Sequence, residues 1–503
     1  VPFPVDHTMP ATAARAPETP VPASPAPESP AAAAPAPFGL VALPLILVLG
    51  AFAVIVQKMA KPIDNADTYF HLRLGREFLE GWSPRDPGSV TRFATADWLP
   101  TQWLGQMGLA KFEEWFGLPG AVWLSGAMVL TFALVLFLVA RRRSSLVVAS
   151  FIVPVAVVAA SPNLSGRPQV ASYLIIALVT AAWMAAGRNG RVPWWIIPVT
   201  WLWAMVHGMW SIGVLISLIA VLGIALERRT PRGAVLRMLV VPVGSVVAAS
   251  LTPMGLGIFT SSARVGAISK YFAEWGPTQF TLPHAAVAAL MLVAVLGLAL
   301  RSGPVPWLEF MLLLLAGAWL VYSVRTVPVA VTMLVPLLAA RLGRVVPRRA
   351  GWRLELPVIL GGFVLALVSL ALIVAQTSAD PINPDNRAEA SVHTLADGTG
   401  VLNEWKDGGH LLWRHPHLDP VMHGYGDMFT ATEIQRNYDF VRLEPGWIDT
   451  LRELEVTEAL VDADGKIAYA LREALGWEVV VEEAPLVHLR APADWATGAD
   501  AED

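Results

Sequence analysis

A chain of 503 residues that is 55% hydrophobic and only 15% charged departs from the roughly 25% charge of an ordinary soluble domain. With no cysteine, disulfides, thiolate nucleophiles and cysteine-ligated metals are excluded. The formal net charge of -4 identifies no partner, because it averages basic loops within residues 38–376 against an acidic stretch at 377–503.

Residues 1–37 are almost entirely Ala, Pro, Ser, Glu and Val, a composition that cannot bury enough apolar surface to fold. They are expected to form a disordered cytoplasmic tail. The long apolar run that follows lacks a cleavage pattern and does not read as a signal peptide.

Between 38 and 376 the chain alternates apolar runs with short polar breaks. About 20 apolar residues cross a bilayer as a helix. The runs predict eleven spans at 38–59, 118–140, 145–162, 168–187, 193–206, 209–226, 236–252, 283–300, 306–321, 326–341 and 355–376. The fifth is short, and could be broken or merged with the sixth. Breaks rich in arginine (Arg141 to Arg143, Arg188 and Arg191, Arg228, Arg229 and Arg232, Arg301, Arg344, Arg348 and Arg349) alternate with breaks that are not. The positive-inside bias assigns the arginine-rich set to the cytoplasm. With eleven spans, residues 377–503 lie on the opposite, outer side. The alternation also keeps the fifth and sixth spans separate.

The unusual polar residues then gather on the outer side. A shared polar cavity explains such convergence, since charge at bilayer depth is costly; headgroup contact is the plainer alternative. The longest outer loop, 60–117, holds an expected surface helix at 63–80 and an amphipathic helix near 99–116. Asp67 and His71, four residues apart, share a face of the first helix, and Asp64 precedes them by about one turn. A carboxylate beside an imidazole can act as a base with its orienting partner, hold a phosphate-bound cation or ligate a metal. Asp64 and Asp67 could equally cap the helix. Gly75 on the same face leaves room for a close neighbour.

Further along, Arg167 precedes Pro168 and Gln169, and its rigid fork of donors suits phosphate or carboxylate. His207 interrupts an apolar run among Trp201, Trp203 and Trp210; it could face a cavity or join two helices. Arg264, Lys270 and Glu274 occupy a short amphipathic stretch, and Arg325 lies in a tight turn where its head must snorkel or enter a cavity. Headgroup binding and helix capping are the structural alternatives for these residues.

The 377–503 segment is expected to fold as a small α/β domain, with short strands and a glycine-rich turn in 398–413, helices near 386–396, 451–454 and 467–475, and strands at 459–461, 477–481 and 486–490. His410, His415, His417 and His423 cluster with Asp419 and Asp427, but their spacing matches no standard ligand pattern. A divalent metal is the one cofactor left open, with no ligand set assigned.

Several ordered pieces resemble the C-type superfamily of membrane glycosyltransferases, particularly an uncharacterised bacterial branch with a C-terminal extracytoplasmic domain. They are Asp67, His71, Leu72, Arg73 and Gly75; Pro84 and Asp86; Trp103 and Leu104; Arg167 to Gln169; Trp203, His207 and Gly208; Glu274 and Trp275; Asn403 to Trp405; Gly408 and Gly409; and Pro445 to Trp447. The resemblance implies a polytopic α-helical membrane protein, multi-pass in the bacterial inner membrane. It implies sugar transfer from a polyprenyl-phosphate donor to a cell-envelope glycan, lipid or protein on the outer face, with no nucleic-acid partner. Asp67 is then the first choice for the base, followed by Asp64 and Asp86, with His71 orienting it or touching phosphate. Arg73, Arg167, Gln169, His207, Arg264, Glu274 and Arg325 are the substrate-binding candidates. Many members carry Asp-Gly-Arg where this chain has His423, Gly424 and Tyr425. A lipid-linked phosphotransferase, or a transporter or flippase for an anionic lipid, are the other readings. Transport predicts polarity on both sides of the membrane and often broken helices in repeated positions, whereas polarity here concentrates on one side.

Overall fold

The computed structural model describes residues 38–301, 303–346, 354–377, 379–382, 385–493 and 495. The expected tail 1–37 lies outside the described residues, as do Arg348 and Arg349 of the last basic loop.

Helix α1 (Phe38–Met59) leads into a loop segment carrying α2 (Asp67–Leu79) and α3 (Trp103–Phe116). The bundle continues through α4 (Leu118–Arg141), α5 (Leu146–Ala160), α6 (Gln169–Asn189), α7 (Ile196–Val206), α8 (Trp210–Leu226) and α9 (Arg232–Ser250). A second loop segment contains α10 (Ser261–Ile268), after which come α11 (Pro283–Arg301), α12 (Trp307–Tyr322), α13 (Val327–Val345) and α14 (Glu355–Val374). Among the described residues, eight helices (α1, α4, α5, α6, α9, α11, α13 and α14) are long and apolar enough to cross a membrane, while α7, α8 and α12 are shorter apolar helices. The chain is a multi-pass α-helical membrane protein with an extramembrane C-terminal domain that contains a β-sheet.

The α7–α8 pair is two helices. His207 takes an extended backbone (φ -165°, ψ 143°), which ends the helical hydrogen-bond ladder before Trp210 restarts it. Helix α13 is the core of the bundle. In α13, 83% of the spanning window is buried, against 22% for α14; α13 packs on α5, α6, α11 and α12. Its two ends are both polar. At one end Arg341, 2% exposed, pairs with Glu309 of α12 at 2.5 Å, and Arg344 reaches the same carboxylate at 3.2 Å. The Arg141–Ser144 turn lies at this end too, since a Cβ on Gly343 would meet the Arg143 carbonyl. At the other end, just before α13 begins, stands Arg325. Arg325 and the Arg141–Ser144 turn, with Arg341 and Arg344, therefore occupy opposite ends of the bundle.

The C-terminal domain contains α15 (Arg387–Val392), β1 (Gly400–Leu402), α16 (Trp405–Arg414), β2 (Asp419–Pro420), α17 (Ala431–Arg442), α18 (Trp447–Glu453), β3 (Glu458–Asp462), α19 (Lys466–Tyr469), β4 (Glu478–Glu483) and β5 (Leu486–Arg490). The sheet order is β2-β1-β3-β5-β4, with β1 parallel to β2 and β3, and β5 antiparallel to β3 and β4. In the stretch 398–413 only Gly400–Leu402 is a strand; Trp405–Arg414 is helical rather than a glycine-rich turn. Gly408 and Gly409 serve close approach instead. A Cβ at Gly408 would overlap the Met422 carbonyl, and one at Gly409 would lie 2.6 Å from the Ala66 carbonyl oxygen.

That second contact shows how the domain is seated. Helix α16 crosses α2, with the Tyr69 ring 4.8 Å from the His410 ring and 5.4 Å from the Trp413 ring, centroid to centroid. The loop after α2 adds hydrogen bonds from Thr91 Oγ1 to the Pro420 carbonyl (2.8 Å), from Arg92 to the Gly398 carbonyl (2.8 Å) and from the Ala96 N–H to the Met428 carbonyl (3.1 Å). Under α16, buried His410 contacts Glu389 at 3.1 Å and Asp380 at 3.3 Å. Burial opposes charge on His410, but the hydrogen bonds to Asp380 and Glu389 outweigh it and push its pKa up to about 9. Burial also opposes charge on Glu389, and the bonds from His410 and His415 pull its pKa down to about 2. The result is an ionic clamp between α15, α16 and the segment that follows α14.

Candidate active site

The geometry starts at the entry to α2. Asn65, rather than Asp64, supports the first turn, because its Oδ1 accepts from the Asp67 N–H at 3.0 Å. Asn65 Nδ2 donates to Ser165 Oγ at 3.1 Å, and Thr68 Oγ1 donates to the Gly166 carbonyl at 3.4 Å. These bonds fix the α5–α6 turn against α2. Arg167 is thereby held facing Asp67, with Nη2 2.5 Å from Oδ2.

A second clamp comes from two short helical turns, 273–275 and 324–326. The Val324 N–H donates to the Gly276 carbonyl at 3.1 Å and ties them together. Ser323 and Thr326 form a reciprocal cap that orders the second turn. Glu274 then accepts from Arg167 at 3.5 Å and pairs with Arg325. The Arg325 guanidinium also lies 5.0 Å from the centre of the Trp275 ring. Two carboxylates and two guanidiniums alternate in one chain: Asp67, Arg167, Glu274, Arg325.

This chain forms part of the wall of a cavity of about 1010 Å³. His71, Gln169 and His207 line it as well. His71 Nδ1 meets Gln106 Nε2 at 3.1 Å, and His207 Nδ1 meets Ser172 Oγ at 3.1 Å. Gln169 donates to the Asn163 carbonyl at 3.2 Å, leaving its buried Oε1 unpartnered. One flank is apolar and built from Ile212 and Leu215 of α8 with Leu315, Ala318 and Trp319 of α12. The C-terminal domain supplies the facing wall through Trp405, Gly424 to Asp427, and Ile434, Asn437, Tyr438 and Val441 of α17.

Four sequence candidates lie outside this lining. Asp64 and Asp86 are exposed; Asp86 closes a small turn in which its N–H donates to the Ser83 carbonyl at 3.2 Å. Arg73 points to the domain junction, paired with Glu77 at 2.8 Å and within 3.5 Å of the Pro416 carbonyl. Arg264 is on the exposed side of α10, 3.3 Å from Asp97, while Ser261, Val265 and Ile268 of the same helix turn toward the cavity. Sequence reasoning missed the α12 flank and the α17 wall. Ile434, Asn437, Tyr438 and Val441 follow the i, i+3, i+4, i+7 spacing of one helical face, and that stripe was the available signal.

Burial raises the Asp67 pKa above the ordinary carboxylate range, while Arg167 and Arg325 hold it back. Burial lowers that of His71, with Arg167, His207 and Arg325 adding to the effect, so its imidazole is neutral. Burial pushes Asp427 up to about 6 against the pull of Arg325 and Arg264. An arrangement of this kind can hold an anion between two guanidiniums and remove a proton beside it. Among the described residues, no group of three or more His, Asp or Glu could hold a metal ion. The histidines at 410–423 divide between two places: His410 and His415 both contact Glu389 in the ionic clamp, with the His417 ring 6.2 Å from that of His415, whereas buried His423 stands apart and accepts from the Tyr425 N–H at 3.2 Å.

No family model matches the sequence, and no curated protein matches it either. Solved structures do. The oligosaccharyltransferase of Archaeoglobus fulgidus, solved with a tethered acceptor peptide, has a TM-score of 0.50 at 12% identity, covering 84% of this chain and 69% of its own. The same organism's AglB, in complex with an inhibitory peptide and a dolichol-phosphate, gives 0.50 at 12% identity, over 89% of this chain and 74% of AglB. ArnT from Cupriavidus metallidurans in the apo state gives 0.50 at 15% identity, over 91% of this chain and 99% of ArnT. At such identities the likeness concerns the fold. The chain shares the fold of these structures.

Proposed function

We propose that this protein transfers a sugar from a polyprenyl-phosphate donor to a cell-envelope acceptor, within the cavity bounded by Asp67, Arg167, Glu274 and Arg325. The observation that carries the reading is the meeting of two guanidiniums and a buried carboxylate beside an apolar flank. A lipid-linked phosphate needs those three things: cations for its charge, an apolar path for its chain, and a base for the incoming nucleophile. The dolichol-phosphate bound to AglB, a protein of the same fold, supports the same donor class here.

In this reading the donor phosphate displaces Glu274 from Arg167 and Arg325. The bond between the sugar C1 and the phosphate oxygen breaks, and its electron pair stays on the phosphate, whose growing charge the guanidiniums stabilise. Asp67 takes the proton from the acceptor hydroxyl as that oxygen bonds to C1. His71, held by Gln106, lines the cavity one helical turn from Asp67 and in this reading orients the base or touches the phosphate. In this reading the eight long helices together with α7, α8 and α12 make eleven spans, and the positive-inside bias assigns the arginine-rich turns to the cytosol and the cavity to the outer face of a bacterial plasma membrane.

The test is incubation of the purified chain with a panel of radiolabelled polyprenyl-phosphate sugars and envelope acceptors, followed by product analysis. Label moving to an acceptor, with release of polyprenyl phosphate, is the expected result. Movement of the phosphate with the sugar would select the phosphotransferase reading instead. Transfer of the intact lipid across a vesicle bilayer without bond cleavage would select transport.

A further inference from the structure

The facing wall of the cavity contains polar groups that the donor phosphate leaves unused. Asn437, 6% exposed, has a buried Nδ2 with no hydrogen-bond partner, and it lines the cavity from α17. An unpaired buried amide is destabilising unless a ligand satisfies it. Asp427 lines the same wall, as do Trp405 and Tyr438, the latter with the Arg442 guanidinium 3.9 Å from its ring centre. Gly424, also on this wall, backs onto Asp67, so a molecule resting here presents its near end to the base.

We infer that Asp427, Asn437, Trp405 and Tyr438 form an acceptor subsite for a saccharide. This deepens the transfer reading and rests on it for the word acceptor, though binding is measurable alone. The chemistry of the wall selects the class. A carboxylate accepts from hydroxyls, an amide donates to one, and aromatic faces cover the C–H surface of a pyranose or furanose ring. A neutral polyol offers donors and acceptors together, with no net charge to bury. A cationic peptide side chain gains little from Asp427, whose field Arg264 and Arg325 already oppose. An anionic acceptor headgroup would meet Asp427 and Glu274 as like charges.

The test uses the full chain in nanodiscs. Saturation-transfer NMR is recorded with methyl glycosides of common hexoses and pentoses, and separately with short neutral and basic peptides. Undecaprenyl-phosphate affinity is measured on the same samples. The expected result is protein-dependent transfer to the ring protons of at least one glycoside, reduced tenfold or more in both Asp427→Asn and Asn437→Leu. Undecaprenyl-phosphate affinity should not fall in Asp427→Asn, which also reports that the nearly isosteric variant is folded. No glycoside signal, a signal unchanged in both variants, or saturation of the peptides in place of the glycosides would overturn the subsite. Glycoside binding without undecaprenyl-phosphate binding would leave the subsite standing and remove the transfer reading.

Discussion

Gly424 of the C-terminal domain lies against Asp67 of the first loop so closely that a methyl group at Gly424 would lie 2.6 Å from Asp67 Oδ1. The neighbours on that side are the Phe70 ring and the Trp405 indole nitrogen, 3.1 and 3.4 Å from the same point. The extra carbon can be accommodated only by moving the carboxylate or the 423–427 turn. Gly424→Ala is therefore expected to lower turnover about 100-fold, as misplacement of a reacting group by ~1 Å does, with little change in thermal midpoint. Single-turnover rates and a melting curve on the same sample check this; unchanged turnover would mean that the two domains do not meet at Asp67 in the working enzyme.

In the proposed reaction, replacing Asp67 by Asn removes the base while keeping its size. Turnover is expected to fall by ~10²–10⁴-fold, the usual contribution of general base catalysis. Polyprenyl-phosphate affinity should not fall, because a carboxylate next to a phosphate repels it. Full activity in Asp67→Asn would remove the assignment.

Glu274 pairs with both Arg167 and Arg325. Glu274→Gln is expected to bind undecaprenyl phosphate more tightly than the parent chain, since the incoming anion no longer competes with a resident one. Arg325→Ala should weaken binding by about 10–100-fold, on the scale of a lost hydrogen bond to a charged group. Titration of both variants by the same method is the check, and a weaker complex with Glu274→Gln would contradict the displacement scheme.

The acid limb of the pH–rate profile should fall at a higher pH than an ordinary aspartate would give, because burial raises the Asp67 pKa. Arg325 holds that pKa down. In Arg325→Ala the limb should therefore move further up in pH. A limb that stays fixed, or shifts toward acid, would show that another group controls it.

His410 makes a separate prediction about the clamp under α16. Its folded pKa of about 9 exceeds the ordinary 6.5, so the stabilisation from its charge is complete below pH 6.5 and fades as pH rises through about 9. Thermal midpoints of the parent chain should decline across that window, and His410→Asn should flatten the decline. A midpoint independent of pH between 6.5 and 9 in the parent chain would exclude a charged His410.

Much of the site was legible because charge in an apolar sequence is rare. Asp67, Arg167, His207, Glu274 and Arg325 stood out as polar residues among long apolar runs, and the structure gathers them in one cavity. Local spacing also worked where the interaction was local, as for Asp67 and His71 on one face of α2. It failed where partners come from distant segments. Arg264 looks like its neighbours in sequence, and only the rotation of α10 turns it toward Asp97 and away from the cavity. Asp64 matched a helix cap, but Asn65 bonds the Asp67 N–H. The glycines at 408 and 409 read as a turn because the carbonyls of Met422 and Ala66, which require them, are far away in the chain. Trp319 and Leu315 look like ordinary apolar residues of a span; their part in the cavity follows from how α12 packs on α8 and α13.

Helix α7 has 11 residues and so covers only about 16 Å, roughly half the thickness of a hydrocarbon layer about 30 Å deep. In the proposed orientation a helix of that length, starting from the cytosolic boundary, ends at mid-depth, which puts His207 of the cavity wall below the water boundary. A reactant already dissolved in the bilayer arrives there by drifting sideways, with its greasy tail never leaving oil. A reactant dissolved in water must shed its hydration and descend. Depth alone thus sorts the two kinds of visitor before any side chain touches them.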